Sequence, residues 1–252
     1  MGHNYSEAAM GRDFSARVHL LELPHGPGNQ QYLRLALCGR QPDEAMPGQY
    51  CLLGRHTESW PCSYVSLPGV AGRFLVTTHA STRLGKVGDL LDYSGPLGSA
   101  WPLPLQSARL LAISRGEGLL PLLGALDEIR CWLPGVQIRL SHEGISAHRL
   151  PEDCQAWVST LLPQLRDSSS GWLHLRQLLD AFLPDTVYCC AAPQVARQAA
   201  RLCWQKGVAA QRIWLRTDHL LGPAWAASSG QGWPVQRYDR LLATLKWIPP
   251  GG

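Results

Sequence analysis

The N-terminal part of the chain alternates between apolar and polar positions with a period of two, which is typical of half-buried β-strands. Short strands bounded by Pro, Gly or Ser favour an antiparallel barrel over a βαβ sheet. We therefore predict a six-stranded antiparallel barrel. Its predicted strands are Arg17–Leu23, Gln31–Leu37, Gln49–Gly54, Ser63–Leu67, Phe74–His79 and Asp89–Tyr93.

The pattern changes near residue 105, where short apolar runs begin to alternate with segments of helical spacing. This alternation indicates an α/β domain with a mostly parallel sheet. The predicted strands are Ala108–Ile113, Val136–Leu140, Ala156–Leu161, Thr186–Cys190 and Gln211–Arg216, and the predicted helices are Leu119–Ile129, Leu173–Phe182 and Val195–Gln205. Two prolines in Trp101–Leu105 mark the boundary, so we predict an N-terminal tail (1–13), a barrel domain (14–104) and an α/β domain (105–252).

Composition narrows the class of protein. The 252 residues are 45% hydrophobic and 17% charged, which excludes a disordered chain. The net charge is only +4, from 23 basic and 19 acidic residues without a basic run, so we expect no nucleic-acid partner. Arg115 and Glu117 interrupt the longest apolar stretch, and we expect no membrane span. Met1–Arg12 lacks the layout of a secretory signal, and we expect a cytoplasmic protein.

The cysteines and histidines lack the spacing of metal sites. The eight cysteines contain no C-x-x-C pair and the nine histidines no H-E-x-x-H. Most cysteines lie among apolar neighbours, where Cys behaves as a small hydrophobic residue. We therefore favour buried free thiols over disulfides or metal ligands, and we expect no bound metal.

One loop has the composition of an anion-binding turn. Ser114–Pro121 follows a predicted buried strand, opens a helix and contains Gly116 and Gly118. Glycines at this position let backbone N–H groups approach a phosphate, and a helix N-terminus favours the anion. A plain strand-to-helix turn has the same spacing, and the Glu117 carboxylate would repel a phosphate. Gly95–Gly98 and Trp60–Ser66 are likewise compatible with a ligand site or with ordinary turns and caps.

Taken in order, these segments resemble the ferredoxin–NAD(P) reductase superfamily, and within it the electron-transfer subunits of dihydroorotate dehydrogenase. The matching segments are Pro47–Tyr50, Pro61–Ser66, Ser81–Thr82, Gly95–Gly98, Gly116–Pro121 and Tyr188–Ala191. The resemblance covers about residues 15–217. It implies a barrel that holds FAD and an α/β domain that uses NAD(P)H as co-substrate. The implied function is an FAD-dependent oxidoreductase that passes electrons to a partner protein, in a multi-subunit complex, or to another acceptor.

The resemblance assigns roles position by position. On the flavin side it implies Ser63, Tyr64 and Val65 along the ring, Ser81 and Thr82 at the FAD pyrophosphate, and Gly95 and Gly98 in the wall. On the nicotinamide side it implies Gly116 and Gly118 at the nucleotide and Cys190 facing the nicotinamide. Ser63 and Cys190 are the expected catalytic positions. His142 and Glu143 could contact a ribose, although solvated polar pairs are commoner at strand ends.

The chain also departs from the family pattern. Trp60 stands where the family has an arginine that contacts the FAD phosphate, and Arg55 is the candidate replacement. Glu117 replaces a threonine, and Ala191-Ala192 replaces a Gly-Pro pair. Residues 215–236 contain no cysteine, so we expect no iron–sulfur cluster, which needs four thiolates. These departures support an alternative, a degenerate reductase-fold subunit without nucleotide binding that acts in assembly or as a scaffold.

Overall fold

A computed structural model describes residues 16–24, 30–39, 44–55, 58–69, 72–80, 82, 84–144, 150–152, 154–155, 171–217 and 235–245. Ser81, the strand predicted at Ala156–Leu161 and the predicted tail lie outside these residues, as does the side chain of Glu117. Within the described residues, no helix has the length and apolar character needed to cross a membrane.

The first domain is the predicted barrel. Its strands are β1 (Ala16–Glu22), β2 (Gln30–Cys38), β3 (Tyr50–Arg55), β4 (Glu58–Ser66), β5 (Arg73–His79) and β6 (Leu90–Leu97). They pair in the order β1-β2-β5-β4-β3-β6 and close into a barrel in which every neighbouring pair is antiparallel. Closure leaves no edge strand unpaired.

Strand β4 presents different side chains to its two sides because successive residues of a strand point in opposite directions. Trp60, Cys62 and Tyr64 belong to the core inside the barrel. Val65 packs outside it against the second domain, and Ser63 bonds to that domain. The outer face of β4 is therefore the side that meets the second domain.

Two tyrosines, Tyr64 and Tyr93, meet inside the barrel, where the backbone of Gly95 approaches their hydroxyl groups closely. The Tyr64 and Tyr93 hydroxyl oxygens lie 2.5 Å apart, and Phe74 packs against both rings. Burial raises the pKa of Tyr64 far above its usual range, so its hydroxyl stays neutral. A Cβ added to Gly95 would lie 2.8 Å from the Tyr64 hydroxyl and 2.8 Å from Cys51 Cβ. The barrel interior therefore has room at position 95 for glycine but not for a residue with a side chain.

The second domain is built on a five-stranded sheet. Its elements are β7 (Arg109–Arg115), a 3-10 turn (Gly116–Leu119), α1 (Leu120–Trp132), β8 (Gln137–Glu143), α2 (Gly171–Phe182), β9 (Thr186–Cys190), α3 (Pro193–Gln205), a 3-10 turn (Ala210–Arg212), β10 (Ile213–Arg216), β11 (Val235–Arg237) and α4 (Tyr238–Leu245). The order is β11-β10-β9-β7-β8, parallel except for β11. The predicted parallel sheet is confirmed. Strand β11 was not predicted because three residues are too few to show a period.

The two domains are joined by packing around α1 and Trp101. Leu120 and Leu123 of α1 lie in one apolar cluster with Val65 and Leu75 of the barrel. Trp101, in the predicted linker, is buried: its backbone N–H donates to the Pro47 carbonyl (2.8 Å) and its indole N–H to the Pro121 carbonyl (3.0 Å). The boundary segment is therefore part of the interface core.

The glycine at position 95 generates a prediction about stability. Gly95→Ala is expected to destabilise the protein by about 1–3 kcal/mol, because the new methyl group overpacks the Tyr64–Tyr93 pair. Urea unfolding followed by circular dichroism measures the change. Gly69→Ala is the matched control, since nothing lies within 4 Å of a Cβ added there. Equal stability of the two variants would contradict the packing argument.

Candidate functional site

Four polar or nucleophilic residues lie in one row at the carboxyl edge of the parallel sheet. Register places His142 beside Ser114, Ser114 beside Cys190, and Cys190 beside Arg216. All four residues are buried. Side chains in register on neighbouring strands share a face, and open α/β sheets bind their ligands at this edge. The row is thus the first candidate for chemistry.

Arg216 connects this row to the barrel. Its Nη1 donates to the Gly48 carbonyl (2.9 Å) and its Nη2 to Ser63 Oγ (2.7 Å), and the residue is fully buried. The Ala191 N–H donates to the Arg216 carbonyl, which ties the backbone to β9. Burying a guanidinium is costly without hydrogen bonds, so these acceptors are essential to the position. Sequence reasoning missed Arg216, although an arginine that ends an apolar strand was a usable signal.

The residues predicted along the flavin divide between the two sides of β4. Ser63 and Val65 face the second domain, whereas Tyr64 places its ring inside the barrel. Thr82 is buried, and its hydroxyl oxygen lies 3.4 Å from Thr78 Oγ1. The Thr78 hydroxyl donates to the Pro61 carbonyl (3.1 Å). The structure therefore places Ser63 and Val65 on the outer face of β4. Thr82 instead contacts Thr78, which alternates in phase with the barrel-core residues Phe74 and Val76.

The remaining flavin-side residues are structural in their contacts. Gly95 faces the tyrosine pair, and Gly98 has a positive φ and accepts a hydrogen bond from Gln49 Nε2 (3.0 Å). Trp60 packs in the barrel core. Arg55 pairs with Asp89 (2.9 Å) at the opposite end of β3 from Tyr50, the residue that neighbours Ser63. Arg55 therefore does not supply a cation near Ser63.

The glycines of the predicted nucleotide loop differ in their surroundings. Gly116 has a φ of +56°, and nothing lies within 4 Å of a Cβ added to it. A Cβ added to Gly118 would overlap the Cys190 carbonyl oxygen and lie 2.6 Å from its carbon. The Cys190 side chain is fully buried in a cluster that includes Ala112 and Tyr188. The close approach at Gly118 is thus made to the protein itself, and Gly116 retains open space.

Arg115, next to this loop, holds three elements together. Its Nε lies 3.2 Å from Glu143 Oε2, Nη1 donates to the Ser141 carbonyl (3.0 Å) and Nη2 to the Gly171 carbonyl (3.3 Å). Burial lowers the pKa of Arg115, and the Glu143 charge opposes that shift. Ser114 Oγ lies 2.7 Å from His142 Nδ1. His142 is therefore buried against Ser114, whereas Glu143 pairs with Arg115 and keeps a side chain that is 42% exposed.

A cavity of about 390 Å³ lies between the outer face of β4 and helix α1. This volume is within the range of small-molecule sites. Burial, then the charges of Asp127 and Glu44, raise the pKa of Glu128 in its wall. The carboxylates repel phosphate, whereas the apolar walls suit an aromatic ring. The cavity is lined by Pro47, Gly48, Tyr64, Val65, Ser66, Leu67, Leu75, Pro121, Gly124, Asp127, Glu128 and Cys154.

The donor set on the outer face of β4 fits the ring of a flavin. Such a ring is planar and largely apolar but has carbonyl and nitrogen groups along one edge. Gly48 lines the cavity, and its carbonyl accepts a hydrogen bond from Arg216. Arg216 also donates to Ser63, so both residues lie close to the cavity wall.

The closed six-stranded antiparallel barrel followed by a mostly parallel sheet is a ferredoxin reductase-like fold, which confirms the predicted fold class. No family model and no curated sequence matches the chain. Among solved structures it is similar to Amycolatopsis cytochrome P450 reductase GcoB (17% identity, TM-score 0.62, 79% of this chain, 68% of that one). It is also similar to the FAD/NAD-binding domain of Vibrio cholerae nitric oxide dioxygenase (15% identity, TM-score 0.64, 81% of this chain, 99% of that one). A third similar structure is phthalate dioxygenase reductase (12% identity, TM-score 0.61, 80% of this chain, 67% of that one).

The contact at Gly118 predicts which property a substitution alters. Gly118→Ala is expected to lower the free energy of unfolding by at least about 1–3 kcal/mol, because the methyl group overlaps the backbone of a buried strand. Thermal and urea unfolding test this, with Gly135→Ala as a control that meets nothing within 4 Å. An alanine variant of wild-type stability would show that the loop opens away from Cys190.

The cavity wall predicts a pH-dependent effect. The pKa of Glu128 is raised in the folded state, so its charge opposes folding above that pKa, and the cost disappears below the unfolded value. Glu128→Gln is therefore expected to raise Tm at pH 7, with the difference fading near about pH 4. Calorimetry at both pH values measures it against Glu58→Gln at the exposed end of β4. A variant that melts below wild type at pH 7 would contradict the assignment.

Proposed function

We propose that this protein is an FAD-dependent oxidoreductase that accepts electrons from NAD(P)H and passes them through the flavin to another molecule. The observation that carries the proposal is the direct contact between Ser63 on the barrel and Arg216 at the carboxyl edge of the sheet. It brings the face assigned to flavin against the edge where α/β domains bind nucleotides. Hydride transfer between the two cofactors requires that juxtaposition.

The bound FAD would supply the redox chemistry, and the protein would supply binding, orientation and electrostatics. Ser63 would hydrogen-bond the polar edge of the ring, and Thr82 would contact the pyrophosphate. Val65 and Leu75 give the adjoining cavity apolar walls that exclude water from the ring. On the nicotinamide side, Gly116 offers the open backbone position of the loop.

The electron acceptor in this proposal is a separate redox partner, either one protein or a multi-subunit complex. GcoB and phthalate dioxygenase reductase are named as reductases, and the second is described as transferring electrons from pyridine nucleotides to a [2Fe–2S] centre. The resemblance to the electron-transfer subunits of dihydroorotate dehydrogenase supports the same role. Because residues 215–236 contain no cysteine, we propose that the electrons leave the flavin for an external acceptor. We also propose that the domain boundaries lie after residues 13 and 104 and that the protein is cytoplasmic.

A second candidate is a reductase-fold subunit that binds no nucleotide and acts as an assembly or scaffold protein. The close packing of Gly118 on the Cys190 carbonyl favours it, because the side of Gly118 that faces Cys190 has no room for a ligand. The complete burial of Cys190, the residue assigned to face the nicotinamide, points the same way. Arg115 is likewise engaged with Glu143 and Ser141.

The visible absorption spectrum of the purified protein separates the two candidates. We expect the protein, after incubation with FAD and desalting, to retain about one flavin per chain and to show the flavin bands. Anaerobic NADH or NADPH is then expected to bleach them. Ser63→Ala is expected to slow this bleaching by about tenfold or more, since a positioned hydrogen bond to the reacting ring is lost.

Other outcomes have definite meanings. A colourless protein that retains no FAD would overturn the oxidoreductase proposal and leave the scaffold. A flavoprotein that neither nicotinamide nucleotide reduces would restrict the proposal to flavin binding. Gly135→Ala, just before the amino end of β8 and with nothing within 4 Å of the added Cβ, is the control for handling and loading.

A further inference from the structure

We infer that Arg216 supplies the fixed positive charge of the flavin site and raises the reduction potential of the bound flavin. This inference rests on the proposed function and extends it to a residue that no sequence motif assigned. It concerns the charge of the side chain, and not only its hydrogen bonds to the barrel.

Strands β3 and β4 supply no cation beside Ser63. The sequence carries Trp60 at the expected arginine, and the structure places that indole in the barrel core. Arg55 is paired with Asp89 at the far end of β3. Arg216, which comes from the other domain, is the cation in direct contact with Ser63.

A flavin ring bound at Ser63 would lie close to the Arg216 guanidinium. Arg216 Nη2 lies 2.7 Å from Ser63 Oγ. A ring atom that hydrogen-bonds to Ser63 would lie about 3 Å from the same oxygen, and therefore within about 6 Å of the guanidinium. The guanidinium also donates to the carbonyl of Gly48, a residue that Trp101 packs against.

The charge of Arg216 would stabilise the reduced flavin. Two-electron reduction makes the flavin ring more negative, so a nearby positive charge stabilises the reduced form more than the oxidised form. The interaction falls off slowly with distance and is strong in a buried site, where solvent does not screen it. Arg216 is fully buried and an arginine stays protonated, so its charge is permanent. The flavin is thereby made a better electron acceptor from a nicotinamide nucleotide.

The experiment compares the two-electron midpoint potential of FAD bound to wild type, Arg216→Gln and Arg216→Lys. Glutamine keeps a hydrogen-bond donor but no charge, and lysine keeps the charge. We expect Arg216→Gln to lower the ratio of affinities for reduced and oxidised FAD at least tenfold, which is a fall of about 30 mV. Arg216→Lys is expected to stay near the wild-type potential, as is Arg55→Met, the matched cation at the other end of β3.

Each result decides between charge and structure. A glutamine variant with the wild-type potential, or a lysine variant that falls as far as glutamine, would overturn the role of charge. If a variant releases FAD on desalting, its affinities for oxidised and reduced FAD are measured separately with added FAD, and their ratio gives the same answer. Wild-type protein that binds no FAD would overturn both proposals, whereas unchanged potentials in a flavoprotein would overturn this one alone.

Discussion

The interface between the two domains is organised around a guanidinium that has left water completely. Arg216 ends β10 and reaches the Gly48 carbonyl and the Ser63 hydroxyl on the barrel. A buried cation is tolerated only where acceptors are held in place for it, so the turn at Gly48 and strand β4 must keep their positions relative to the sheet. The geometry of the cleft follows from that requirement.

Trp101 supports the same arrangement from the other side of Gly48. A side chain at position 48 would meet the indole at 2.7 Å, so glycine is required for the close approach. The indole also stacks on Tyr188, with 4.9 Å between ring centroids, and bonds to the Pro121 carbonyl. One tryptophan thus links the barrel turn, helix α1 and strand β9. The linker therefore packs against both domains and fixes the position of the barrel relative to the sheet.

The cleft has two electrically different ends. Asp127 and Glu128 of α1 line the cavity, whereas Arg216 lies behind Gly48 at the β4 end. A ligand with an electron-rich edge is favoured toward Arg216, and its apolar part is favoured between Val65 and Pro121. The nucleotide loop is more constrained, because Gly118 already packs on Cys190 and Arg115 is tied to Glu143. The cavity on the barrel side therefore has more room for a ligand than the loop at Gly116–Pro121.

Local pattern in the sequence was sufficient for the architecture. Two period-two segments and four short segments bounded by Pro, Gly or Ser predicted the barrel strands, and apolar runs such as Thr186–Cys190 predicted the parallel sheet. A strand buried on one face alternates between apolar and polar residues, and a strand buried on both faces is continuously apolar. The site needed tertiary information. Trp60 could be placed inside the barrel only once the pairing of β4 was known, and the contact of Gly118 with Cys190 joins separate strands. The pairing of Arg216 with Ser63 spans 153 residues, and periodicity carries no information about contacts over such a separation, which arise only when the domains pack.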